Sequence, residues 1–238
     1  MKKTIYAMAI LSILSMVLIT ACNINDPCRK IKDQSLKDDC HLEEAIKGIS
    51  LDTCDKIESE MVRDSCIAEI GIEKNDIEIC RSIKGKSGDY CTAKIAISGN
   101  NFSLCNEAET EYWSDVCNKD IAIAQNDHNI CAKVMNLIEK DGCYDEIARA
   151  KLDVEVCFFI RNETTHDRCV SKVAVETLNE SLCEETRTVV IGDICYQKIA
   201  RIKLDESICE GASYFEIQRA CKAMVNSIIK DRKNQTGQ

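Results

Sequence analysis

The chain has 238 residues, 45% of them hydrophobic, enough for one or two ordinary domains with a core. Its 40 acidic and 31 basic residues leave a formal charge of −9, which disfavours nucleic-acid binding through phosphate contacts. Seventeen cysteines stand out against one proline and few aromatics; in a cytosolic chain they would suggest metal or redox chemistry, in an exported one a disulfide framework.

The N-terminus favours export. Lys2 and Lys3 precede an apolar run from Ile5 to Ile19 and then small residues, the pattern of a secretory leader. Ile19, Thr20, Ala21 and Cys22 resemble the lipobox of prokaryotic lipoproteins. That resemblance implies cleavage after residue 21 and a diacylglyceryl thioether on Cys22. A plain membrane anchor competes with it, since Ile5 to Ala21 is near the lower length limit for a span. The cysteine directly after Ala21 favours the lipobox. Residues 1–21 are read as leader and 22–27 as lipidated tether, about 15 Å at full extension between the lipid and Pro27. The localisation expected is the outer side of the cytoplasmic membrane. Loss of Lys2 and Lys3 leaves 29 basic residues against 40 acidic ones in the mature chain.

The other sixteen cysteines are spaced by alternating steps of 12 and 14, with one step of 11 between Cys80 and Cys91. A self-similar period of about 26 residues marks a stacked repeat protein. Four residues before the first cysteine in seven of the eight repeats stands Ser50, Asp76, Asn101, Asp127, Asp153, Asn179 or Asp205, residue types that accept hydrogen bonds from free N–H groups at a helix start. The residue before that cysteine (Ile79, Leu104, Ile130, Val156, Leu182, Ile208) and the one three after it (Ile31, Ile57, Ile83, Val134, Ile160) form an apolar stripe at helical spacing.

A second helix follows in each repeat. Asp38, Asp64, Asp89, Asp115, Asp141, Asp167 and Asp193 recur two residues before the second cysteine, and an acidic side chain there is expected to complement the positive end of a helix dipole. Four residues after it come Ile70, Ile95, Ile121, Ile147, Val173 and Ile199, each followed by Gly or Ala. Both arms are expected to be about ten residues long, too short to be stable alone in water.

In a hairpin, residues equidistant from the turn face each other, and only the shorter spacing meets this condition. The pairs predicted are Cys28–Cys40, Cys54–Cys66, Cys80–Cys91, Cys105–Cys117, Cys131–Cys143, Cys157–Cys169, Cys183–Cys195 and Cys209–Cys221. The fold class read here is all-α: a right-handed αα-hairpin solenoid of eight disulfide-stapled repeats over residues 28–229. A disordered polar tail is expected over 230–238. The architecture is similar to that of αα-hairpin solenoids, particularly the disulfide-bridged Sel1-type repeat proteins, which differ in period and cysteine spacing. No functional residues are carried over from them.

No catalytic or metal-binding constellation emerges. No two of these cysteines are close enough for a CxxC-type zinc or haem site. His41, His128 and His166 are scattered and are read as solvated or capping. Gly85, Lys86 and Ser87 spell the end of a P-loop, but Cys80 stands where its first glycine belongs, so the segment is read as a turn. Four sequons, at Asn101, Asn162, Asn179 and Asn234, are possible glycan acceptors in an exported chain; Asn101 and Asn179 are read as helix caps.

Departures from the repeat consensus point to a binding surface. Phe158 and Phe159 fill positions held elsewhere mainly by polar residues, and Met61, Tyr112 beside Trp113, Ile138 and Val190 recur at one point of the loops. If exposed they form an apolar ridge, the mark of an interaction site; the competing expectation is that they fold under and pack as core. The function expected is a non-enzymatic binding or scaffolding module at the cell envelope, with a protein, peptide or envelope component as partner and no cofactor. The alternative is an enzyme acting on an envelope polymer with a pair of carboxylates as acid and base.

Overall fold

In the computed structural model, which describes residues 26–236, Asp76, Asn101, Asp127, Asp153, Asn179 and Asp205 each open a short helix. Each accepts a hydrogen bond from the backbone N–H two residues on. Ser50 holds the same place, its hydroxyl oxygen accepting from that of Thr53 at 3.1 Å. Repeated helical pairs follow, with no strand among the described residues. The leader, Cys22 and the first part of the tether lie outside the described residues.

The arms of a pair are unequal. The first is a single turn of four to six residues, as in Leu51–Cys54, His128–Cys131 and Glu180–Glu185. The second is a helix of 13 to 22 residues: Gln34–Gly48, Glu60–Lys74, Lys86–Ser98, Glu111–Gln125, Leu137–Lys151, Glu163–Thr177, Val189–Lys203 and Phe215–Thr236. The last of these continues through residues expected to be a disordered tail from 230 onward.

In most repeats the recurrent aspartates hold the segment after the short first arm, and their expected role at a helix start is corrected except at Asp89, which does lie in the first turn of Lys86–Ser98. Asp141 lies in the second turn of its helix, buried, and accepts the backbone N–H groups of Arg161 and Asn162 in the next repeat at 3.0 and 2.8 Å. Asp38 takes those of Glu58 and Ser59, Asp115 those of Met135 and Asn136, and Asp167 those of Arg187 and Thr188. Asp193 takes that of Ser213. These N–H groups are committed to a neighbour's carboxylate and cannot extend the short helix before them. Asp64 makes no such bond among the described residues. The loop after it is the one shortened by a residue, and Gly85, at φ 71°, replaces the extended residue that begins the other long helices.

The apolar stripe is buried as expected, with Ile57, Ile70, Ile121, Ile147, Ile160 and Ile199 at most 1% exposed. The small residue beside it makes room for the next disulfide. A Cβ on Gly71 would lie 2.9 Å from Cys91 Sγ and 3.1 Å from Ile79 Cγ2, nearer than side-chain carbons pack.

All eight disulfides have the predicted pairing, with Cα atoms 5.4 to 5.8 Å apart. Eight such bonds place the folded chain in an oxidising, extracytoplasmic environment. Among the described residues no helix is long and apolar enough to cross a membrane.

Seven of the eight long helices end on a left-handed residue: Asn75, Asn100 and Asn126 in some repeats, Ile49, Leu152, Leu178 and Leu204 in others. Asparagine tolerates this conformation, whereas leucine or isoleucine there costs roughly 1–2 kcal/mol. The chain divides at Cys91 and Thr92 into two compact units, within the repeat that carries the shortened step. In the first, Ala45, Ile57, Ile70 and the 54–66 disulfide form a core. In the second, one core spans Ala93 to Val173 and another Ala174 to Val225.

Candidate interaction surface

The residues singled out as a ridge fall on the first turn of the long helices. Met61, Tyr112, Ile138 and Val190 are each the second residue of their helix. Their side chains are 75, 66, 81 and 60% exposed, so the expectation that they fold under as core is not met. Trp113 differs: it is half-buried against the core of the second unit, with Tyr112 edge-on at 5.0 Å.

Helix geometry explains the placement. The N-cap residue is fixed from both sides: Asn136 gives its backbone N–H to Asp115, and its side chain accepts from the N–H groups of Ile138 and Glu139. The second residue of the helix then points away from the disulfide-filled interior. Successive long helices in the second unit are in contact and are tied by the aspartate bonds at their starting ends. Their first turns therefore lie along one edge.

The same edge carries residues that the sequence did not single out. Leu137 and Val189 are the first residues of their helices, as is Phe215, and Tyr214 precedes it; all are exposed. Their signal was adjacency to the N-cap, where no apolar side chain is required for folding. The repeat at Glu163 and Thr164 interrupts the row with polar residues.

Phe158 and Phe159 sit elsewhere, in the turn after Cys157. Phe159 is 53% exposed and stacks between His128 and Tyr144, with ring centroids 5.4 Å from each. Phe158 leans on His166 at 5.8 Å. Phe159 is thus partly spent on packing between repeats and Phe158 on packing within its own.

The histidines are not the solvated or capping groups expected. His41 and His166 are buried, and His128 is half-buried within the stack on Phe159. His166 Nδ1 lies 2.9 Å from Asp167 Oδ1, which braces one of the inter-repeat carboxylates. Asp26, Cys28 and His41 bring three potential ligand atoms within 4.8 Å of one another. The Cys28 sulfur is bonded to Cys40, so no thiolate is present to bind a metal there. Asp26 Oδ1 instead accepts from the Cys28 backbone N–H and lies 3.9 Å from His41 Nδ1.

The carboxylates are tuned for structure. Hydrogen bonding from the Ser59 N–H, opposed by burial and aided by Glu58 and Gln34, holds Asp38 below its ordinary value. At Asp167 burial pushes the carboxyl up, but the hydrogen bonds from Thr188, His166 and Arg187 together outweigh it and hold it down. Lys203 lowers Glu180 through a 2.6 Å hydrogen bond, and Ser207 lowers Asp205. A shallow depression holds Glu180, Glu184 and Tyr196 together. There the phenol is pushed up to about 12 by burial and by the charge and hydrogen bond of Glu184.

Of the sequons, Asn101 and Asn179 cap helices as read. Asn162 does so too, its Oδ1 accepting from the backbone N–H and the hydroxyl of Thr165. Comparison of the chain with protein-family models, curated proteins and solved structures finds no match.

Proposed function

We propose that this chain is an exported helical-repeat protein, anchored by a lipid on Cys22, that binds a protein or peptide partner at the cell envelope without catalysing a reaction. The observation that carries the reading is the row of exposed apolar side chains at the start of the long helices, represented by Tyr112, Ile138 and Val190. Water around them is released when a partner covers them, and their local structure does not depend on their being apolar. Association with a protein uses such a patch.

The carboxylates weigh against the enzymatic alternative. An acid–base pair needs one carboxyl raised toward the working pH, whereas Asp38, Asp167, Glu180 and Asp205 are all shifted downward. The disulfides act as staples and supply no reactive thiolate.

The test is crosslinking in intact cells, followed by capture of the chain. Tyr112→Ser, Ile138→Ser and Val190→Ser combined are expected to abolish a specific envelope crosslink that the native chain gives, while Phe158→Ser with Phe159→Ser retains it. Unchanged capture by the triple variant would remove the row from consideration. The same cells fed a palmitate analogue are expected to label the native chain and not Cys22→Ser; equal labelling of both would refute the anchor.

A further inference from the structure

A second surface in the second unit carries a different chemistry. Between the long helices Glu163–Thr177, Val189–Lys203 and Phe215–Thr236 lies a groove of about 580 Å³ lined by Val175, Ile202 and Ile228 together with Lys198, Arg201 and Arg232. Val175 and Ile228 are half-buried and Ile202 is 54% exposed, so the floor is apolar and open to solvent. The groove lies toward the ends of these helices opposite to the row of Tyr112, Ile138 and Val190.

It gathers three cations in a chain where acidic residues outnumber basic ones by 40 to 31. Lys119, Lys203 and Lys222 each lie within 2.9 Å of a glutamate oxygen. Arg149, which occupies the position of Arg201 two repeats earlier, pairs with Asp145 one helical turn before it at 3.1 Å. At Arg201 the residue four places before is Gln197, so the internal partner is missing. Lys198 has Ile194 and Ile202 one turn to either side. Among the described residues neither Lys198 nor Arg201 has a carboxylate within 4.0 Å. The sequence signal is the position after the small residue of each repeat, which reads Ile72, Ile97 and Ile123 early in the chain and Arg149, Val175 and Arg201 later.

Lys198 and Arg201, without a carboxylate partner on the rim of an apolar floor, match a ligand with an anionic head and a hydrocarbon body. We propose that this groove binds an anionic phospholipid, with the phosphate held by Lys198 and Arg201 beside Arg232 and the start of an acyl chain on Val175, Ile202 and Ile228. An acidic peptide would satisfy the cations but leave Ile202 and Ile228 without an apolar partner. A neutral lipid would cover the floor and leave the cations unmatched. The site is independent of the proposed protein-binding row.

The full chain, purified in detergent, is titrated with dioleoyl phosphatidylglycerol, dioleoyl phosphatidylcholine, glycerol 3-phosphate and a polyglutamate peptide, and bound species are counted by native mass spectrometry. Phosphatidylglycerol is expected to bind at least about tenfold more tightly than phosphatidylcholine, and Lys198→Gln with Arg201→Gln to remove about tenfold of that affinity. Ile202→Ser is expected to weaken it as well. Equal binding of the two phospholipids, or an unaffected double variant, would overturn the proposal. Glycerol 3-phosphate or polyglutamate binding as tightly as phosphatidylglycerol would overturn the lipid assignment. The comparison between lipids on the native chain does not depend on any variant folding. Loss of the Tyr112, Ile138 and Val190 side chains is expected to leave lipid binding unchanged, which separates failure here from failure of the protein-binding reading.

Discussion

Asp141 shows how one side chain joins two repeats. Its carboxylate takes two backbone N–H groups of the next repeat in a buried setting. Replacement by alanine leaves both donors without their acceptor, so Asp141→Ala is expected to destabilise the chain by about 3 kcal/mol, read from urea unfolding under non-reducing conditions. Asp141→Asn keeps an acceptor and is expected to cost less; equal loss in both would mean that the bonds are not the source of the effect. The same chemistry sets the response to acid. Asp38 and Asp167 titrate below their ordinary 3.8 in the folded chain. Their stabilisation is therefore fully present above that value and is lost as pH falls below it through the folded pKa. Thermal unfolding is expected to be insensitive to these groups from pH 7 to about 5 and to drop in temperature below about pH 4. A steady decline beginning near pH 6 would contradict this assignment.

At the scale of the element, a one-turn helix is kept in place by its cap, its disulfide and the neighbour's aspartate rather than by its own hydrogen bonds, since four residues lie far below the length at which a helix persists alone. Joining Cys131 to Cys143 closes a loop of this size with a contribution of about 3 kcal/mol in the chain-entropy model. Cys131→Ala with Cys143→Ala is expected to lower stability by that order and to raise amide hydrogen exchange first over residues 127–137. Uniform exchange increases across the second unit would show that the staple acts globally.

The disulfide pairing and the caps at Asp127 and Asp153 were legible because both depend on residues a few places apart in sequence. The role of Asp141 was not, because its acceptor geometry involves Arg161 and Asn162, 20 and 21 residues on, and an acidic residue near a presumed helix start imitates a dipole partner. Helix lengths are hidden in sequence for the same reason: in most repeats the bonds that hold the segment after the first arm come from the preceding repeat. The left-handed residue ending seven of the long helices was hidden because asparagine in some copies and leucine or isoleucine in others share no local signal. Exposure of Ile138 was undecided in sequence, as an apolar residue beside a loop fits core and surface equally well.

For the molecule as a whole, repetition separates structure from function. Cysteines, aspartates, Ile and Ala recur in the same roles in most copies to build the units, and this leaves the departures to carry recognition. The helix-start row is such a departure: polar at Thr164 and apolar at Tyr112, Ile138 and Val190. Lys198 and Arg201 are another, on a different surface. We propose that the row is covered by a partner in the cell. The most direct measurement is photocrosslinking in living cells from a photoreactive residue placed at Ile138 or Val190, with Glu176 as an exposed control. The same envelope polypeptide is expected to be crosslinked from Ile138 and from Val190 and to be absent from Glu176. Crosslinks of equal yield from all three positions, or none from Ile138 and Val190, would contradict it.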